Sequence, residues 1–265
     1  TYSFSFSEPW FGGKKPINFS ASLSYTKVYG YNSSNRIDKS KNMNIFSASV
    51  GIAKRLQVPD DFFVLSHALS YQLYDLKNYA GSYQFTFANG SSHNLAYTIG
   101  LSRNNKGTNP IFPMYGSEFS LTGKFTVPYS SFNKIDYRNL ENLEEYKLKY
   151  SASSGLTTTE INGRSVREGD YIRETTPGSR IYQVVDTYAQ ADADKAKVDQ
   201  KKYNWLEYYK IKFKAEWYTK IYDKLVLKTL GEFGYLGAYN QGRGVIPFER
   251  FVVGGSGLGG NYQTS

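Results

Sequence analysis

The chain has 265 residues, is 40% hydrophobic and 17% aromatic, and carries a formal net charge of +9 with no cysteine and two histidines. A mean hydropathy of −0.52, with no run near the roughly 18 apolar residues of a spanning helix, excludes a helical membrane protein. The missing thiols exclude disulfide staples and thiolate metal sites, and the basic residues do not cluster as a nucleic-acid partner would require.

Residues 1–10, TYSFSFSEPW, lack the basic and apolar regions of a signal peptide and alternate from the second residue, so the chain is expected to open within a strand. Period two then dominates. Ile17, Phe19, Ala21, Leu23, Tyr25 and Tyr29 share one face against Asn18, Ser20, Ser22, Ser24 and Thr26. Phe46, Ala48, Val50 and Ile52 repeat the pattern, as do Phe63, Leu65, Leu69, Tyr71 and Leu73. Further runs follow at 93–101 and 119–127. The last two strands set Tyr209, Ile211, Phe213, Ala215 and Trp217 against lysines, and Leu225, Leu227, Phe233 and Tyr235 against Lys228 and Glu232. A helical period competes only around 188–202.

The links alternate in length. GGKKP, QVPDD and YDK are short, whereas long polar segments stand near 30–42 and 75–91 and, longest of all, at 129–204. The segment near 103–117 is of moderate length. In an up-and-down antiparallel sheet, alternate links share a rim, so one rim would carry tight turns and the other large loops. A polar face rich in Ser, Thr, Gly, Lys and Glu suits a hydrated lumen behind a lipid-facing apolar wall. Aromatics at strand ends, such as Trp10, Tyr29, Tyr129 and Trp205, suit the membrane–water boundary. The expected fold is all-β: an antiparallel up-and-down transmembrane β-barrel with about eight strands present. The glycine-dense 254–260 and the absence of a final aromatic-ended strand are expected of an internal portion of a larger barrel.

Three stretches carry a resemblance. In SEPWFGGKKP, Glu8, Pro9, Trp10 and Phe11 end a strand before Gly12 and Gly13. In NPIFPMYGSEF, Phe112 and Pro113 precede Gly116 and Ser117. In PFERFVVGGSGLGG, Phe251, Val252 and Val253 lead into Gly254, Gly255 and Ser256. Together they resemble the outer-membrane protein assembly barrels, BamA and its relatives. There the first two mark periplasmic turns and the third opens the sixth extracellular loop. The resemblance implies that these strands are roughly the fourth to the eleventh of sixteen in one barrel domain, with periplasmic POTRA repeats and seam strands outside this chain. Residues 129–204, too long for a hairpin turn and without sustained alternation, are expected to form an extracellular insertion, and the family's lumen-anchoring arginine either lies beyond Ser265 or is replaced. The resemblance implies an insertase of the bacterial outer membrane whose partners are the lipid bilayer, unfolded client barrels and accessory assembly subunits, with 129–204 open to a surface-side partner. A polypeptide-exporting relative, or a passive porin or ligand-binding barrel, is the alternative.

Each motif also has a plain structural reading, since proline ends ladder pairing and glycine makes turns. Chemistry finds little support. His67 and His93 lie on otherwise apolar strand faces with no triad pattern nearby, and His67 reads as a neutral histidine near a rim. Asp192, Asp194 and Asp199 lack the glycine and closing glutamate of a calcium loop, and Glu141, Glu144 and Glu145 read as solvation of a surface loop. No catalytic residue, metal or cofactor is expected.

Overall fold

Alternation becomes pairing in the computed structural model, which describes residues 1–13, 16–32, 34–79, 86–107, 113–152, 157–159, 166–179, 181–246 and 249–251. Six strands follow one another as β1 (Tyr2–Glu8), β2 (Ile17–Tyr31), β3 (Ile37–Arg55), β4 (Phe63–Lys77), β5 (Gly90–Asn104) and β6 (Gly116–Thr126). The chain then makes a long excursion holding α1 (Ser130–Asn133), a small sheet of β7 (Thr157–Thr159), β8 (Ile172–Glu174) and β9 (Ile181–Val184), and α2 (Lys195–Tyr203). It returns as the hairpin β10 (Tyr209–Tyr222) and β11 (Leu225–Gly237). The main sheet is an antiparallel meander of eight strands in the order β1-β2-β3-β4-β5-β6-β10-β11, with β1 and β11 at its two edges.

The register sorts side chains as the alternation requires. Phe6, Ala21, Val50, Leu69, Tyr97, Phe125 and Tyr209 form one row across seven strands. On the opposite face Ser5, Ser22, Ser49, Ser70, Ala96 and Thr126 form another, with Ser22 Oγ and Ser49 Oγ 2.7 Å apart. The apolar face is bare: Phe4 is 65% exposed, Leu69 55%, Leu227 52% and Phe233 60%. An apolar surface this continuous is not left to water.

Buried side chains gather instead at the end of the sheet that carries the long links. Met43, Leu76 and Phe87 form one cluster, and Leu206, Tyr208 and Ile246 another. A third, of Tyr137, Leu140, Tyr146 and Val198, lies within the excursion and gives it a core of its own. Helix α2 starts where Asp194 accepts a hydrogen bond from the Lys197 amide at 3.1 Å. The helical period expected over 188–202 is thus split into a short turn at Tyr188–Gln190 and this helix.

The link lengths need one correction. The segment expected as a loop near 30–42 shrinks to 32–36, because β3 begins at Ile37. Its first residues, Asp38 to Asn42, are polar on both faces, so no alternation marks them as a strand.

The excursion is also tied into the sheet. β6 pairs only with Ala96–Asn104 of β5, leaving the upper part of β5 without a neighbour on that side. Residues 204–206 take the vacant place. The His93 amide donates to Asn204 O at 2.6 Å and the Leu206 amide to His93 O at 2.8 Å.

Candidate functional site

The first two motif segments are turns. After β1, Gly12 and Gly13 sit at φ +80° and +71°, with open space where a Cβ would be, so only backbone conformation requires glycine. Phe11 stacks on Phe19 with centroids 4.9 Å apart. In the second motif Gly116 has φ +102°, and a Cβ there would come within 2.9 Å of Lys106 Cα. Ser117 donates its amide to Asn105 Oδ1 at 2.8 Å, and Arg103 Nη1 reaches Ser117 Oγ at 3.3 Å. Arg103 also pairs with Asp60 of the preceding turn at 2.8 Å, which holds that carboxyl below its usual range. Pro113 lines a cleft with Met114, Tyr218 and Leu225. Phe112, Val252, Val253, Gly254, Gly255 and Ser256 lie outside the described residues.

The third motif's first residue, Phe251, leads to a buried polar constellation. β11 delivers the chain to residues 243–246 and 249–251, which are pinned twice, once at the root of the excursion and once on the polar face. The first pin is Arg243. Its guanidinium meets Glu207 at 2.8 Å, with only 4% and 0% of the two side chains exposed. It donates as well to the carbonyls of Lys202 and Trp205 and lies 4.8 Å from the Tyr137 ring centroid. Glu207 completes its hydrogen bonds with the amide and hydroxyl of Ser130, at 2.8 and 2.6 Å. A buried ion pair is tolerable only when its lone pairs and protons are satisfied in this way.

The second pin is Glu249. Its carboxylate accepts from Lys124 Nζ at 2.8 Å, Lys210 Nζ at 3.0 Å and the Tyr208 hydroxyl at 2.8 Å, and Lys210 also donates to Glu249 O at 2.6 Å. Burial opposes ionisation of Glu249, but the two ammonium groups and the phenol outweigh it and hold the carboxyl below its ordinary range. Burial also raises the pKa of Tyr208, which keeps that hydroxyl a donor. Two residues further on, Phe251 lies over Lys210 and Lys212, with Nζ atoms 4.8 and 5.8 Å from its ring centroid. It fills the space above Gly234, where a Cβ would meet the ring at 2.6 Å. Consecutive residues at the foot of β10, Glu207 and Tyr208, thus serve the two pins.

Sequence reading missed Arg243, Glu207, Tyr208, Lys124, Lys210 and Glu249 as a group. The available signal was Glu249 amid the aromatics of PFERF, facing a strand whose polar side is nearly all lysine.

Both histidines acquire partners. His67 is the fifth residue of β4, inside the apolar row rather than near a rim, and its Nδ1 lies 2.5 Å from the Tyr97 hydroxyl. His93 Nδ1 lies 2.8 Å from the Tyr71 hydroxyl, and its ring stacks on Trp205 at 4.6 Å. In the excursion Glu144 accepts from Tyr171 at 2.5 Å and Asp192 from the Glu174 amide at 2.7 Å, so these acids serve the local fold.

Residues 193–263, which run from α2 through the hairpin and the pinned segment, match the Omp85 superfamily domain. No curated protein sequence matches the chain. Among solved structures, the sheet matches BamA from Haemophilus ducreyi, in a form lacking POTRA domains 1–3, with a TM-score of 0.52 at 15% identity. That match covers 96% of this chain and 36% of the BamA chain, so this chain spans about a third of its length. The fold is that of a BamA barrel segment.

Proposed function

We propose that the chain forms part of an outer-membrane insertase, a barrel that helps other β-barrel proteins fold into the bacterial outer membrane. The observation that carries the reading is the pinned segment. In an Omp85-type domain, Arg243 fastens the chain after β11 to the root of the excursion, and Glu249 fastens it to the polar face of a sheet whose other face is bare and apolar. Such a sheet needs hydrocarbon on one side, and the fastened segment stiffens the wall from the other. An incoming chain gains most where a strand edge is offered to it in lipid, because unpaired backbone groups are costly there. That activity makes and breaks no covalent bond.

On this reading the rim with links 9–16, 56–62, 105–115 and 223–224 faces the periplasm, where accessory subunits would dock. The excursion then faces the cell surface, open to a partner there. The test is reconstitution of the full-length protein in lipid vesicles with an unfolded client barrel. Faster client insertion supports the insertase. Passage of a polypeptide into the vesicle without insertion would favour an exporter, and a steady open-pore conductance alone a passive porin.

A further inference from the structure

A cavity of about 300 Å³ lies between α1, α2 and the Arg243 pin, lined by Tyr129, Asn133, Tyr137, Gln200, Asn204 and Trp205 among others. That volume is at the lower end of the range for small-ligand sites, enough for one compact guest. The Tyr129 hydroxyl is buried here without a hydrogen-bond partner among the described residues. Leaving a hydroxyl dry and unpaired is costly, and burial accordingly pushes its pKa up. The side-chain amides of Gln200 and Asn204 also make no hydrogen bond among the described residues, so donors and acceptors of both kinds remain free.

The charge balance narrows the guest. The Arg243 cation is balanced by Glu207 and its second Nη is taken by two carbonyls, so the cavity holds no unbalanced buried charge. Lys201 stands exposed at the mouth. The aromatic walls have covered faces: Trp205 carries His93 on one side and lies 4.9 Å from Tyr129, and Tyr137 carries Arg243. A phenol and two amides without partners among the described residues, with no buried net charge, suit a compact guest that carries several hydroxyls.

We infer that this cavity binds a single sugar ring, from the headgroup of a glycolipid or from a free glycan. The lipid source has a geometric argument. Trp205 stacks on His93, whose neighbours in the same row are the lipid-facing Leu95 and Tyr97, so the cavity lies at the boundary where headgroups would stand. That argument rests on the surface-side placement of the excursion proposed above; the sugar chemistry does not.

The experiment measures hydrogen–deuterium exchange of residues 129–137 and 198–206 in the full-length protein. One arm adds N-acetylglucosamine to protein in detergent. The other compares nanodiscs of phosphatidylethanolamine alone with nanodiscs that also contain lipid A. Protection in either arm is expected, and the responding arm identifies the source. Tyr129→Phe should weaken it about five- to tenfold, the worth of one hydrogen bond, without lowering thermal stability, because it removes an unsatisfied group. Asn204→Ala should weaken it similarly. Absence of protection in both arms, or protection indifferent to both substitutions, would overturn the inference and leave a hydrated structural cavity. Surface protease digestion of intact cells tests the placement separately, and its failure would leave the detergent arm standing.

Discussion

Glu249 is a single carboxylate that holds a chain segment in place, and its titration should be visible. Its pKa is depressed in the folded state, so its contribution is full above the ordinary carboxylate value of about 4.3 and is lost as pH falls through the lower folded value. Exchange protection of residues 243–246 and 249–251 should therefore stay level from neutral pH down to the ordinary carboxylate range and fall away below it. Glu249→Gln should remove that step, and Glu249→Ala should cost roughly 1–3 kcal/mol in the opening of the segment, since Lys124 and Lys210 would face each other without a counter-charge. A second residue pair tests the two faces. Leu121, 44% exposed on the apolar row, and Ser120, opposite Lys214 on the polar face, are adjacent in β6. Leu121→Arg near the bilayer midplane should cost roughly 2–4 kcal/mol and Ser120→Arg far less, as read from refolding in lipid vesicles. Equal damage would reverse the assignment.

Among the elements, the strands were the most legible. Their alternation in residues such as Phe4, Phe6, Phe46, Val50 and Leu69 is local information, and a buried or lipid-bound face leaves no freedom of register. The upper half of β3 was not legible, because Asp38 to Asn42 extend beyond the apolar band and are polar on both sides. Nor were the two pins. Arg243–Glu207 and Glu249–Lys124 join residues that are far apart in sequence, and a lone charge carries no mark of its partner. The excursion was legible as an insertion by its length, but the cluster of Tyr137, Leu140, Tyr146 and Val198 that makes it an ordered body was not. Protease added to intact cells should cut within the excursion, at exposed stretches such as 141–145, and spare the turn at 9–13. Cleavage of the excursion only after the envelope is opened would place it on the periplasmic side.

For the whole molecule, the decisive fact is that β1 and β11 are the two edges of an eight-stranded sheet. In hydrocarbon each unpaired backbone group on an edge costs several kcal/mol, so residues 1–265 alone should not close into a barrel. Refolded beside the full-length protein, they should give no heat-resistant species in gel electrophoresis; a compact heat-resistant band would sink this expectation. Within that wall, the return of residues 204–206 to the upper part of β5 has a consequence for variation. Surface segments exposed to immune or phage pressure usually drift freely in length and sequence. Here the root of the excursion is part of the ladder: His93 bonds to Asn204 and Leu206, and Ser92 to Tyr203. Deleting or exchanging the whole excursion would strip backbone groups of β5 bare at the lipid boundary. Only the exposed outer surface beyond the Tyr137, Leu140, Tyr146 and Val198 cluster is free to change its appearance, while the root must keep its length and backbone path in any lineage that keeps the barrel.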